Sequence, residues 1–149
     1  MSIQISHRKL ATGDEKALAD LCGELGYPSS GQEVIDRLQR FVDRQDHLVL
    51  VAADDSDRPI GWIHAFVAYR VESDPFVEIG GMVVAEDFRG VGIGSQLLDK
   101  AEEWARSQQV TSIRVRSNVV RERAHRFYLR AGYSQTKTSQ VFQKPLRGS

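Results

Sequence analysis

The sequence predicts a mixed α/β fold, and three observations carry that prediction. Residues 47–84 fall into three extended runs divided by short polar turns, the pattern of an antiparallel meander. The last run, 77–84, leads through a short polar turn into Arg89-Gly90-Val91-Gly92-Ile93-Gly94 and then into a helical pattern. An alternating strand, 111–117, follows that helix, so the connection is a parallel crossover. An antiparallel half joined to a parallel pair, with about four helices, fits one domain over 1–149.

Each element has a local reason. Residues 2–8 alternate, with Ile3 and Ile5 on one side, and read as a first strand. Thr12 or Gly13 precedes Asp14-Glu15, acidic residues suited to a helix N-terminus. Ala17, Leu18, Leu21, Cys22 and Leu25 then recur at helical spacing to about residue 24, and Gly26 and Pro28 end the run. Ser30 with Glu33 three residues on is a capping box. It opens a second helix whose apolar face is Val34, Ile35, Leu38, Phe41 and Val42.

Residues 47–53 are the second strand, 54–59 a turn and 60–71 the third strand. Ser73-Asp74-Pro75 breaks the chain before the strand at 77. The third helix carries Ile93, Leu97, Leu98, Ala101, Trp104 and Ala105 on one stripe. A fourth helix, 122–131, presents Ala124, Phe127, Tyr128 and Ala131 and ends at Gly132. Two short strands, 133–137 and 141–144, close the chain.

Composition narrows the function classes. Lys plus Arg and Asp plus Glu number 20 each, a net charge of zero, which argues against nucleic acid as the main partner. Arg114, Arg116, Arg121, Arg123, Arg126 and Arg130 still crowd one region. Cys22 is the only cysteine, so no intramolecular disulfide forms and a thiolate metal site is not expected. Its expected role is packing. The first ten residues lack the apolar core of a signal peptide, and no apolar run approaches the ~20 residues of a membrane span. A cytoplasmic protein without membrane contact is the expectation.

A strand, a glycine-rich turn and a helix aim backbone N–H groups and a helix dipole at phosphate. Three motifs compete for this turn. A P-loop requires a lysine after its last glycine, but Gly94 is followed by Ser95 and Gln96. A dinucleotide fingerprint requires a glycine where Ser95 stands and a carboxylate near position 114, which is arginine. The third is the acyl-CoA loop of the GNAT N-acetyltransferases, Arg/Gln-x-x-Gly-x-Gly/Ala, which Arg89, Gly92 and Gly94 match in full. The resemblance extends to the strand Met82-Val83-Val84, the following amphipathic helix, and the segment from Ala124 through Phe127-Tyr128 to Gly132-Tyr133. Element order resembles the superfamily over nearly the whole chain.

The resemblance implies acetyl-CoA as acetyl donor, no metal, and direct transfer to an amine in a ternary complex. The turn from Arg89 through Gly90, Val91, Gly92, Ile93 and Gly94 to Ser95 would cradle the CoA pyrophosphate, since glycines let the backbone approach closely. Gly80-Gly81 inside a strand marks a bulge or close ligand approach. By resemblance this bulge splays the strand from the one at 113, and backbone groups of Met82, Val83 and Val84 hold the pantetheine arm and polarise the thioester carbonyl.

An alkyl amine has a pKa near ~10 and must lose a proton to attack. The departing thiolate benefits from a proton donor. By resemblance Tyr128 is that donor, with core packing as its other reading, and Asn118 touches the cofactor arm or else caps the next helix. Glu78 is the candidate base, acting through water, or else faces solvent or the substrate; His64 and His125 have the pKa range of a base but read first as a sheet residue and an exposed helix residue. The acceptor stays open between a small-molecule and a protein amine. Dimers are frequent in this family, so a homodimer is among the expected assemblies. The alternative function is a regulatory member that binds CoA without catalysis.

Overall fold

In this computed structural model the described residues are 4–117 and 121–146. The elements are β1 (Ser6–Lys9), α1 (Glu15–Glu24), α2 (Gly31–Leu38), β2 (His47–Ala53), β3 (Pro59–Arg70), β4 (Ser73–Val84), a 3-10 turn (Glu86–Phe88), α3 (Ile93–Ser107), β5 (Ile113–Val115) and α4 (Glu122–Arg130). The chain divides into two compact units, Met1–Arg116 and Ser117–Ser149.

In the first unit, five strands lie in the order β1-β2-β3-β4-β5. The first four run antiparallel and β5 is parallel to β4, as the meander and crossover predict. One sheet face carries Gly61, Ile63, Ala65 and Val67, all buried. It packs on α3, whose Leu97, Leu98 and Ala101 are fully enclosed. The other face carries Val51 and Trp62, which meet Leu18, Ala19 and Val34 from α1 and α2. Cys22 is half-buried on α1, where burial pushes its thiol up, in keeping with a packing role.

The capping box forms in full: Ser30 Oγ accepts from the Glu33 N–H at 3.1 Å, and the Glu33 carboxylate accepts from the Ser30 N–H at 3.0 Å. Ahead of α1 the arrangement differs from the expectation. Asp14 is the N-cap residue but its side chain caps nothing. Its carboxylate, 6% exposed as a residue, instead takes two hydrogen bonds from Arg8, at 2.7 and 3.0 Å, and one from the Ala11 N–H at 2.8 Å.

Several boundaries depart from the sequence reading. α2 ends at Leu38, so Phe41 and Val42 lie beyond it in a turn, and β5 spans only Ile113–Val115 of the run read over 111–117. β1 begins at Ser6, so the pattern at residues 4–5 lies outside it and residues 1–3 are not described. β4 begins at Ser73, so Ser73-Asp74-Pro75 belongs to the strand. Pro75 is tolerated there because pairing with β3 is irregular between Ala68 and Arg70, where no ladder bond from residue 75 is required. The closing strands at 133–137 and 141–144 are absent: among the described residues, 134–146 carry no regular structure, and Val141 and Phe142 are exposed. Among the described residues, no helix is long and apolar enough to cross a membrane.

Candidate functional site

The turn between β4 and α3 has the conformation an anion site requires. Gly90 and Gly92 have φ of 83° and 91°, in the left-handed region that side chains with a Cβ avoid. Where a Cβ would project from either one, there is open space. Gly92 is the N-cap of α3 and supplies no side-chain cap, and the first turn holds no acidic residue. The first helical bond runs from the Gln96 N–H to the Gly92 carbonyl at 3.0 Å. The N–H groups of Ile93, Gly94 and Ser95 therefore lie ahead of the intrahelical ladder, at the positive end of the dipole. Ile93 is anchored in the core at 2% exposure, whereas Val91 is exposed.

Arg89 has a different position from the rest of the turn. Its Nε donates to the Val84 carbonyl at 3.1 Å, and its Nη2 lies 3.7 Å from Glu24 on α1. Glu24 also accepts from the Glu86 N–H at 2.9 Å. The Arg89 guanidinium thus braces the turn against the end of β4 and against α1.

The glycines of β4 form the expected bulge. His64 of β3 is opposite Gly81 and Ala65 is opposite Ile79, which leaves Gly80 as the extra residue. Both glycines turn toward the face of β3 that carries rings. A Cβ on Gly80 would lie 2.8 Å from His64 Nδ1, and one on Gly81 would lie 2.8 Å from the Trp62 ring. Room for these rings is a second reason for the glycine pair. The parallel pairing with β5 stops at Ile79 opposite Val115. Beyond it, among the described residues, Met82, Val83 and Val84 pair only with β3. Val83 is buried, and Met82 and Val84 are half-buried.

Glu78 lies two residues before the bulge, opposite Phe66 on β3 and Arg114 on β5. Its carboxylate is 3.6 Å from Arg116 Nε, and its side chain is 16% exposed. Next to it, the Arg114 guanidinium stacks 3.7 Å above the centre of the buried Phe76 ring, a cation–π contact. Asn118 lies outside the described residues.

Tyr128 belongs to the second unit. It is half-buried on α4, makes edge contacts with Phe127 and Tyr133 at 5.1 and 5.7 Å between ring centres, and its phenol is pushed up by burial. At neutral pH it is therefore a proton carrier and not a phenolate. His125 on the same helix is half-buried, not exposed as its position suggested. Ala131, assigned to the apolar face, is exposed.

One chemistry-bearing pair went unnoticed in the sequence. His47 Nδ1 and His64 Nε2 are 3.0 Å apart, in a stack with Phe41 and Phe66. Burial, then the neighbouring His47, pushes His64 down to about 4. Burial likewise lowers His47, against a smaller pull upward from Asp46. Counting back from the Ala53–Pro59 pair puts residue 49 opposite 63, but an irregularity at Ala52/Ala53 shifts the ladder by one and sets Val49 opposite His64 and His47 opposite Phe66, so His47 and His64 share one face as diagonal neighbours. Glu24 carried no sequence signal, since its partners are 62 and 65 residues away.

Comparison with known proteins adds to this geometry. Residues 16–133 match the family model of the acetyltransferase (GNAT) family. Over 78 residues the chain is 49% identical to the aminoalkylphosphonate N-acetyltransferase of Salmonella typhimurium, a match spanning 52% of this chain and 51% of that protein. It is 23% identical over 136 residues to an aminoglycoside N(6')-acetyltransferase type 1 of Acinetobacter genomosp. 13, covering 87% of this chain and 93% of that one. In fold it superposes with a TM-score of 0.84 on the aminoglycoside N-acetyltransferase AAC(6')-Iy in complex with CoA, at 16% identity, covering 97% of each chain.

Proposed function

The chain belongs to the GNAT acetyltransferase family, and on that premise we propose that it moves an acetyl group from acetyl-CoA directly onto the amine of a small molecule. One observation carries the proposal. A single stretch joins a bulged strand, with no partner on one edge beyond Ile79 among the described residues, to an uncapped helix N-terminus behind two left-handed glycines. The open space at Gly90 and Gly92 and the first-turn N–H groups suit a pyrophosphate. Residues Gly90 to Ser95 hold that group, and Arg89 stiffens the turn. Backbone groups of Met82, Val83 and Val84 hold the pantetheine arm in the manner of an added strand. The family match crosses both compact units, and we read 1–149 as one acetyltransferase domain.

Acetyl-CoA supplies an acyl group already activated as a thioester. The protein supplies position, a hydrogen bond to the carbonyl, and proton traffic. We assign Tyr128 Oη as the proton source for the departing sulfur, and Asn118 as a contact of the cofactor arm. Glu78 draws the cationic amine toward the bulge and, through water, is a candidate for its proton. The small-molecule acceptor is supported by relatives that are aminoalkylphosphonate and aminoglycoside acetyltransferases. Transfer in a ternary complex requires no protein nucleophile, in keeping with Cys22 packed on α1.

The test is thiol release from acetyl-CoA across aminoalkylphosphonates, aminoglycosides, polyamines, amino acids and lysine peptides. Release with a small amine, reduced on the order of 100-fold by Tyr128→Phe, is the expected outcome. Silence across the panel with CoA still raising the Tm would instead establish a binding-only protein.

A further inference from the structure

The His47–His64 pair is not used by the assignments above, yet His64 lies against the β4 bulge, where the acetyl-transfer reading places the reacting thioester. His64 projects from β3 on the face toward which both bulge glycines turn. Its Nε2 is engaged by His47 Nδ1 at 3.0 Å. Its Nδ1 makes no hydrogen bond among the described residues and lies against Gly80, the bulged residue, where a Cβ would come within 2.8 Å of it. Phe41 stacks on the His64 ring at 4.5 Å and 18°, and Phe66 flanks both imidazoles at 5.5 Å. The rings are therefore fixed in orientation, one nitrogen toward the bulge and one toward the second histidine. His47 is only half-buried, so the chain of nitrogens leads outward.

We infer that His64, backed by His47, is the proton acceptor for the amine, and that the pair conducts the proton from the bulge to solvent. This rests on the acetyl-transfer reading and goes beyond it by making His64 the base and leaving Glu78 to attract the ammonium. The acceptor ammonium gives one proton to His64 Nδ1. The proton on His64 Nε2 moves to His47 Nδ1, and His47 Nε2 releases one to water. One proton enters, one leaves, and the freed nitrogen lone pair attacks the thioester carbonyl. Exchange with water between turnovers restores the starting tautomers. Burial keeps His64 neutral at physiological pH, and in the tautomer whose Nε2–H donates to His47 Nδ1, its Nδ1 offers a lone pair. The charged groups around the pair are Asp46 and Arg44 beside His47, and Glu78 across from Phe66. Glu78 thus attracts the ammonium while the imidazole takes its proton.

The experiment compares two acceptors of one skeleton: an alkyl amine, and its analogue with a trifluoromethyl group on the carbon that bears nitrogen, which is already largely unprotonated at neutral pH. Thiol release gives kcat/KM for wild type, His64→Gln and His47→Gln, and CoA-induced stabilisation shows which variants are folded. The expected result is a loss of about 100-fold for His64→Gln with the alkyl amine and almost none with the fluorinated one. His47→Gln shows a smaller loss with the same dependence on acceptor, and carries the test alone if His64→Gln does not fold. Losses equal for the two acceptors, or no loss, overturn the relay while leaving acetyl transfer intact. A wild type that releases no thiol with any amine overturns both.

Discussion

Lowering the pH should destabilise this protein through His64 before its carboxylates titrate. Its pKa falls from 6.5 in the unfolded chain to about 4 in the fold, because the ring is buried and His47 adjoins it. Between these values the unfolded chain binds a proton that the folded one refuses, so stability is full above pH 6.5 and falls as pH drops toward 4. The full difference is worth about 3 kcal/mol, of which about 2.5 kcal/mol is lost by about pH 4.5. That is a large share of the roughly 5–15 kcal/mol that holds a domain together. His47 and His7 are lowered too, so the contrast with a variant isolates His64. Urea unfolding of wild type and His64→Gln, from about pH 7.5 to about pH 4.5, is the assay. Wild type should lose about 2.5 kcal/mol more than the variant across that window. Parallel losses would refute the reasoning, since they would mean that His64 protonates freely in the fold.

Three substitutions probe other parts of the structure. Asp14→Ala removes the partner of Arg8 and of the Ala11 N–H, and should cost about 3 kcal/mol in urea unfolding. Burial raises the Asp14 carboxyl, but the Arg8 and Ala11 hydrogen bonds outweigh it and hold the group below its usual range, so this stability is present at neutral pH and lost in acid. Gly81→Ala places a Cβ 2.8 Å from the Trp62 ring, and should cost about 1–3 kcal/mol with a change in tryptophan fluorescence. Gly92→Ala meets no clash but forces a left-handed φ of 91° on a residue with a Cβ. It should cost about 1–2 kcal/mol of stability and, by isothermal calorimetry, weaken CoA binding about tenfold.

The legible parts of this fold were those with local causes. The second strand, bounded by polar residues before His47 and the turn after Ala53, has the expected limits. The Ser30–Glu33 capping box also forms as read, because capping is a contact between residues three apart. Tertiary pairing decided the rest. Pro75 looked like a break, yet an irregular ladder accommodates it. The alternation at 133–137 and 141–144 promised strands, but alternation yields a strand only where a partner edge is available, and 134–146 have no ladder partner among the described residues. At the site, the glycine turn and the Gly80 bulge were legible because glycine is costly inside a strand unless something uses it. Hidden were the second use of those glycines as room for His64 and Trp62, and the turning of Arg89 back onto Val84 and Glu24. Both depend on contacts between strands and helices far apart in sequence.

The central claim is that one stretch, the end of β4 and the start of α3, holds acetyl-CoA. Its most direct test is a titration of the isotope-labelled protein with CoA, followed residue by residue through backbone amide NMR shifts. The largest shifts should fall on Gly90, Gly92, Gly94 and Ser95, with a second group at Met82, Val83 and Val84. Saturating shifts confined to other elements, with these amides unmoved, would contradict it.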